Sequence, residues 1–321
     1  MNKIILLSII VIFFSLNMGG SGIAPSFAVS LGAKLIEKKY ALLLFGIFVI
    51  IGAVSFGSNV AYTLGKSLLP EKLVNLEMTL AILGSASVSL FIANILKIPQ
   101  STSQVTVGAI VGAGIYTNQL NLEILFTKII PMWIILPLIS YFLTLFLYKK
   151  IYPPRQKNLY IYEKLFANEK KIKFSTLITS CYVAFSIGSN NVANAVGPLF
   201  GAGIINIIPG LFLIAPLFGI GAALMGKGTI ETTGKAIVPL GLISSTLVCF
   251  ITATLLLFAS FLGIPQSLVQ LNLASIFAIS CLKNEHQSIW DHHLIQKAFT
   301  IWLVTPLCAI GITYLSLFLL K

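Results

Sequence analysis

The sequence predicts an all-α integral membrane protein built from two inverted-topology repeats of about five helices each, with broken helices and re-entrant-like segments at the midplane. Three observations carry this reading. The 321 residues are 57% hydrophobic and only 9% charged, and the mean hydropathy of +0.97 lies outside the balance of soluble domains. Short strings recur in the same order in both halves at a nearly constant offset. The most polar of those strings sit inside apolar stretches, where a broken helix survives only if its freed backbone groups meet protein, water or a ligand.

Apolar stretches near the roughly 18–20 residues needed to span a bilayer recur along the whole chain, so the spanning elements are helices. Short alternating strands of the kind that build barrels are not seen. The crossings fall at residues 4–33, 40–64, 78–97, 99–116 and 127–148, then 174–203, 205–226, 240–262, 264–282 and 298–320. The first run, IILLSIIVIFFSL after Lys3, has the look of a secretory signal, but its continuation is repeated internally and is therefore expected in the mature protein.

The repeat rests on three anchors. GGSGIAPSFAVSLGA (19–33) aligns with GSNNVANAVGPLFGA (188–202), and TLGKSLLP (63–70) with TTGKAIVP (232–239), both at an offset of 169. IPQSTSQ (98–104) aligns with IPQSLVQ (264–270) at an offset of 166. The chain divides accordingly into a first membrane repeat (1–148), a basic linker (149–173) and a second membrane repeat (174–321). An odd number of crossings per repeat inverts the second relative to the first, and inverted repeats point to alternating access by a secondary transporter. There is no P-loop to drive a pump.

The net charge of +12 is not that of a nucleic-acid binder, because eight of the 21 Lys and Arg residues fall within 149–173. A basic, Pro-containing linker between apolar halves reads as a cytoplasmic loop, which puts both termini outside. On that topology the inside segments hold 16 Lys and Arg and the outside segments five (Lys3, Lys66, Lys72, Lys128, Lys321).

Two polar stretches are candidate binding walls. GSNNVANAVGPLFGAG (188–203) carries Asn190, Asn191 and Asn194, whose amides are costly in hydrocarbon unless compensated. Gly188, Gly197, Pro198 and Gly201 mark weak points in the sixth crossing, as Gly19, Gly20, Gly22 and Pro25 do in the first. Half-helices freed there would offer amino ends to an anion. PQSTSQVTVGAIVGAG (99–114) is a helix start whose Ser101, Thr102 and Ser103 hydroxyls can cap backbone N–H groups or donate to an oxyanion. Its repeat-mate has Leu268 and Val269 in place of Thr102 and Ser103, so asymmetric binding is expected. Ser21 and Gln104, from the same repeated strings, complete the candidate set.

Other residues read as structural. Cys181, Cys249, Cys281 and Cys308 lack paired spacing and look like packing residues. Lys66 and Lys235 look like snorkelling anchors at helix ends. His286, His292 and His293, with Glu285 and Asp291, form a polar loop more simply read as solvated than as a metal site. No catalytic constellation is present, and no cofactor or metal is expected.

These strings resemble the inorganic phosphate transporter family, whose repeated signature reads G-A-N-D-V-A-N-A-x-G followed by a P-x-S-T-T-H segment. GSNNVANAVGP matches the second copy, PQSTSQVTVGAIVGAG the first P-x-S-T segment, and IETTGKAIVPL (230–240) the family's I-E-T-x-G-K segment. GGSGIAPSFAVSLGAKLI is a weakened first copy. Where the family has Asp this chain has Gly22 and Asn191, and where it has His this chain has Gln104. The pattern is similar to the sulfate permease branch of the family.

The resemblance implies a sulfate importer in the cell membrane, acting as a homodimer. The physical chemistry agrees, since phosphate near neutral pH retains an O–H that a carboxylate can accept, whereas sulfate offers only acceptors. Losing both Asp residues argues against a sodium site and favours H+ as the coupling cation. Glu231 is the one carboxylate in a family-matched segment bordering a helix, although an i,i+4 pair with Lys235 is the structural alternative. Phosphate, thiosulfate or molybdate on the same scaffold is the rival substrate reading, and a non-transporting membrane anion sensor or enzyme the remote one.

Overall fold

The computed structural model describes residues 2–96, 100–153, 156–236, 241–282 and 293–319. The first half contains α1 (Lys3–Gly32), α2 (Lys38–Tyr62), α3 (Leu76–Ile95), α4 (Thr102–Thr117), α5 (Leu122–Ile124) and α6 (Ile130–Lys149). After α7 (Leu159–Phe166), the second half contains α8 (Glu169–Asn191), α9 (Ala193–Gly201), α10 (Ile207–Ala236), α11 (Leu242–Phe261), α12 (Leu268–Leu282) and α13 (His293–Leu319). The helix α8 thus begins inside the stretch assigned to the linker. Its exposed first turn carries the pair Glu169–Lys173 at 2.7 Å, and that neighbour holds the Glu169 carboxyl below its ordinary range through a hydrogen bond and its charge.

Among the described residues, seven helical stretches are long and apolar enough to cross a membrane. Two of the ten predicted crossings are shorter. The helices α4 and α12 have 16 and 15 residues, which at 1.5 Å per residue is about 24 and 22 Å, short of a hydrocarbon core of about 30 Å. Each is re-entrant-like and starts from a buried tip. Gln100 and Ser101 precede α4, and the non-helical residues 264–267 precede α12, all of them buried.

The two halves pack reciprocally as inverted repeats. The helix α1 lies along α10, and its repeat-mate α8 lies along α2; α3 packs on α1 and α4, as α11 packs on α8 and α12. The fourth helix of each half is covered by the last helix of the other, α4 by α13 and α12 by α6. The halves therefore interlock, and each completes the other's core.

Glycine sets how closely they approach. A Cβ on Gly52 would overlap the Phe185 carbonyl, and one on Gly188 the Val49 carbonyl. The repeat-related contacts are Gly221 on the Leu16 carbonyl and Gly19 on the Phe218 carbonyl. Close backbone approach through small residues is how helices associate where lipid removes the hydrophobic drive. This corrects the reading of Gly19 and Gly188 as helix breaks. The helix α1 runs unbroken for 30 residues with Pro25 inside it, and Gly19 is used for helix crossing.

Gly52→Val and Gly221→Val are expected to destabilise the fold to similar extents, each by about 1–3 kcal/mol or more from overpacking. Detergent-solubilised melting temperature and monodisperse yield measure it.

Candidate functional site

The asparagine-rich stretch and the two helix tips meet. Between α8 and α9 the helix slips by one residue at Val192, whose backbone stays right-handed (φ −61°, ψ −32°) and whose carbonyl accepts from both Ala195 N and Val196 N. The sixth crossing therefore stays nearly continuous over 169–201 and offers no exposed amino end, contrary to the expectation of a broken half-helix. The amino ends come instead from α4 and α12. Ser101 Oγ caps α4 by accepting from Gln104 N at 3.2 Å, and Ser267 Oγ accepts from Gln270 N at 3.3 Å.

Asn190 proves to be a clamp on the backbone. Its Nδ2 donates to the Ile264 carbonyl and its Oδ1 accepts from Gln266 N, both at 3.0 Å, while Nδ2 also reaches Ser260 Oγ at 3.0 Å. Two neighbours from other helices hold the rest of the tip. Trp133 Nε1 donates to the Pro265 carbonyl at 2.8 Å and Ser103 Oγ to the Gln266 carbonyl at 3.2 Å. Upstream, Gly263 has φ +71°, and its N–H and that of Ile264 close back on the carbonyls of Ser260 and Ala259. This terminates α11 in the left-handed conformation that glycine adopts at least cost. Nearly every polar backbone group of the tip is thus satisfied, as burial requires.

Asn194 joins the second half to the start of α4. Its Nδ2 lies 3.3 Å from both Thr102 Oγ1 and Ser103 Oγ, and Ser103 Oγ lies 3.4 Å from Asn190 Oδ1. Thr102, Ser103, Asn190 and Asn194 are therefore brought together as predicted, with Ser101 and Gln104 alongside on the same helix start. Ser21 is not gathered in. It is half-buried and its hydroxyl donates to the Met18 carbonyl of its own helix at 3.0 Å. Glu231 lies within α10, which runs on to Ala236, past the predicted end of the crossing at 226, and its side chain falls outside the described residues, as does the 283–292 loop with His286 and His292.

The site keeps unused hydrogen-bonding capacity. Buried oxygens of Gln104, Asn191 and Asn194 have no partner among the described residues, and the same holds for Gln270 and for both side-chain polar atoms of Gln100 and Gln266. Sequence reasoning missed Gln100, Gln266 and Gln270. The signal was available, since both copies of I-P-Q-S-x-x-Q keep both glutamines while the hydroxyls between them change. The glutamine amides are thus present in both repeats, while the hydroxyls of Thr102 and Ser103 belong to the first half and Asn190, Asn191 and Asn194 to the second. Among the described residues no Asp or Glu is buried.

Interlocked inverted repeats meeting at a buried, uncharged polar junction define a multi-pass helical membrane transporter. The profile described as the phosphate transporter family matches residues 18–313, and the chain belongs to that family. It is 36% identical to the sulfate permease CysP of Bacillus subtilis (strain 168) over 96% of this chain and 86% of that protein. It is 26% identical to the putative phosphate permease TK2061 of Thermococcus kodakarensis over 100% of this chain and 98% of that one. The solved structure of a sodium-dependent phosphate transporter superposes with a TM-score of 0.84 at 22% identity, covering 100% of this chain and 99% of that chain.

Asn190→Leu is expected to lower the melting temperature of the anion-free protein, because it strands the Ile264 carbonyl and Gln266 N–H at about 1–3 kcal/mol each. Asn191→Leu, whose side-chain oxygen has no partner among the described residues, is expected to leave it near wild type in the same thermal shift measurement.

Proposed function

We propose that this protein imports sulfate across the cell membrane by alternating access, coupled to protons, with the basic linker on the cytoplasmic side. The observation that carries the reading is the neutrality of the junction. Around Thr102, Ser103, Asn190 and Asn194 the polar groups are amides and hydroxyls, with the amino ends of α4 and α12 close by. Such a site supplies donors to a dianion and presents no carboxylate to repel it. An O–H carried by phosphate would lose the strong acceptor that a carboxylate offers, and unpaired groups of this kind are the efficient basis of discrimination between analogues. The likeness to a protein named as a sulfate permease supports the same choice of substrate.

The potential opposes dianion entry by about 4.6 kcal/mol per 100 mV, twice the single-charge value, so accumulation requires coupled cations. With Gly22 and Asn191 the chain lacks the family's signature carboxylates, which favours protons over sodium, with Glu231 as the candidate relay. The structural neighbour named as sodium-dependent makes sodium the competing driver.

Proteoliposomes with pH and sodium gradients imposed separately test both parts. Labelled sulfate is expected to accumulate with an inward proton gradient and without sodium, and to be displaced poorly by phosphate. Equal displacement by phosphate would refute the substrate assignment, and strict sodium dependence the coupling. Asn191→Asp is expected to reduce sulfate uptake at least tenfold, the scale of one charged hydrogen bond turned repulsive, and to admit phosphate while it retains an O–H.

A further inference from the structure

The glutamines of the repeated I-P-Q-S-x-x-Q string are the most conspicuous polar groups that the preceding reading leaves unused. Gln100 and Gln266 are 6% and 0% exposed, yet among the described residues neither the amide nitrogen nor the amide oxygen of either side chain has a partner. Burying a carboxamide in this way is costly, and such groups in a native core call for a ligand or ordered water. Because neither end is paired among the described residues, either orientation of each amide breaks no hydrogen bond and leaves its N–H2 available to a ligand.

Their placement adds direction. Each glutamine immediately precedes the serine that caps its helix, Ser101 for α4 and Ser267 for α12, so each stands at an amino end where partial positive charge favours an anion. The backbone of Gln266 is fixed on both sides, its N–H by Asn190 and its carbonyl by Ser103. Ser103 belongs to α4, so the same hydrogen bond joins the two tips.

We propose that Gln100 and Gln266 are paired, repeat-related donors to the transported oxyanion, one from each half. The proposal rests on the transport reading above and extends it to two residues that form one symmetric half-site each. In an inverted-repeat transporter this pairing has a mechanical consequence. The anion keeps an amide donor from each half as the halves exchange conformations, so neither opening leaves it held by one repeat alone.

The test is saturable uptake of labelled sulfate into proteoliposomes by wild type, Gln100→Met and Gln266→Met. Methionine keeps the side-chain length and removes the donors, and the Asn190 clamp on the Gln266 backbone is untouched. Each substitution is expected to raise the sulfate KM roughly tenfold or more, the effect of one lost hydrogen bond to a charged group, and to weaken thermal stabilisation by sulfate. Sulfate uptake by wild type with KM within twofold in both variants overturns the glutamine pairing and leaves the transport reading standing; ordered water would then occupy the amides. Absence of saturable uptake by wild type overturns both. Should a methionine variant not fold, Gln100→Glu or Gln266→Glu is read instead, with loss of uptake at an unchanged melting temperature expected and an unchanged KM overturning the pairing.

Discussion

The structure depends on a single carboxamide holding an unwound backbone. Residues 264–267 leave the helix inside the protein, where their N–H and C=O groups have no water to turn to. Asn190 meets the chain with a donor and an acceptor at once, to Ile264 and Gln266, in the manner of a neighbouring strand. With Trp133 and Ser103 completing the set, the tip becomes a fixed object assembled from α4, α6 and α8. A helix that begins at such a tip brings its amino end into the interior, and everything that makes the junction receptive to an anion follows from that.

Among the described residues the asparagine clamp belongs to the second half, and the repeat shows what replaces its residues in the first. The repeat-mate of Asn190 is Ser21, whose hydroxyl is occupied by its own helix, and the mate of Gly263 is Lys97. The second half thus supplies the rigid frame, while the first supplies Thr102 and Ser103, whose oxygens accept from Asn194. What both halves retain is the pair of glutamines. The division is sensible for a carrier, in which a structural element can belong to one repeat but contacts to a moving substrate are best shared.

Much of this was legible in the sequence, and what was not has identifiable causes. Composition and the three repeated strings gave the helical fold, the number of repeats and the meeting of the asparagine and hydroxyl stretches, because hydropathy and internal homology survive in a single chain. Helix continuity was misread. Gly19, Gly188 and Pro25 are breakers by propensity, but in a packed bundle neighbouring backbones make use of the missing Cβ, so the same residue serves as a crossing point. Asn190 and Asn194 look alike in sequence, and only the tertiary position of the Ile264 carbonyl separates a clamp from a candidate ligand. Gln266 was overlooked although the repeated string keeps it, because its burial is set by a turn that no local pattern reveals.

The neutrality of the junction has a further consequence for energetics. Two helix amino ends are worth roughly half a positive charge each, so together they offset about half of a dianion, and the remainder falls to amide and hydroxyl dipoles. Among the described residues no buried carboxylate or cationic side chain stands in the junction, so on the proposed reading the empty carrier returns with little charge moved through the field. The loaded carrier moves the full anion together with whatever cations accompany it. The membrane potential therefore acts almost wholly on the loaded step. Coupling then rests on cations that bind only when sulfate is present, since a cation retained in the empty site would be carried back and its contribution to the gradient lost.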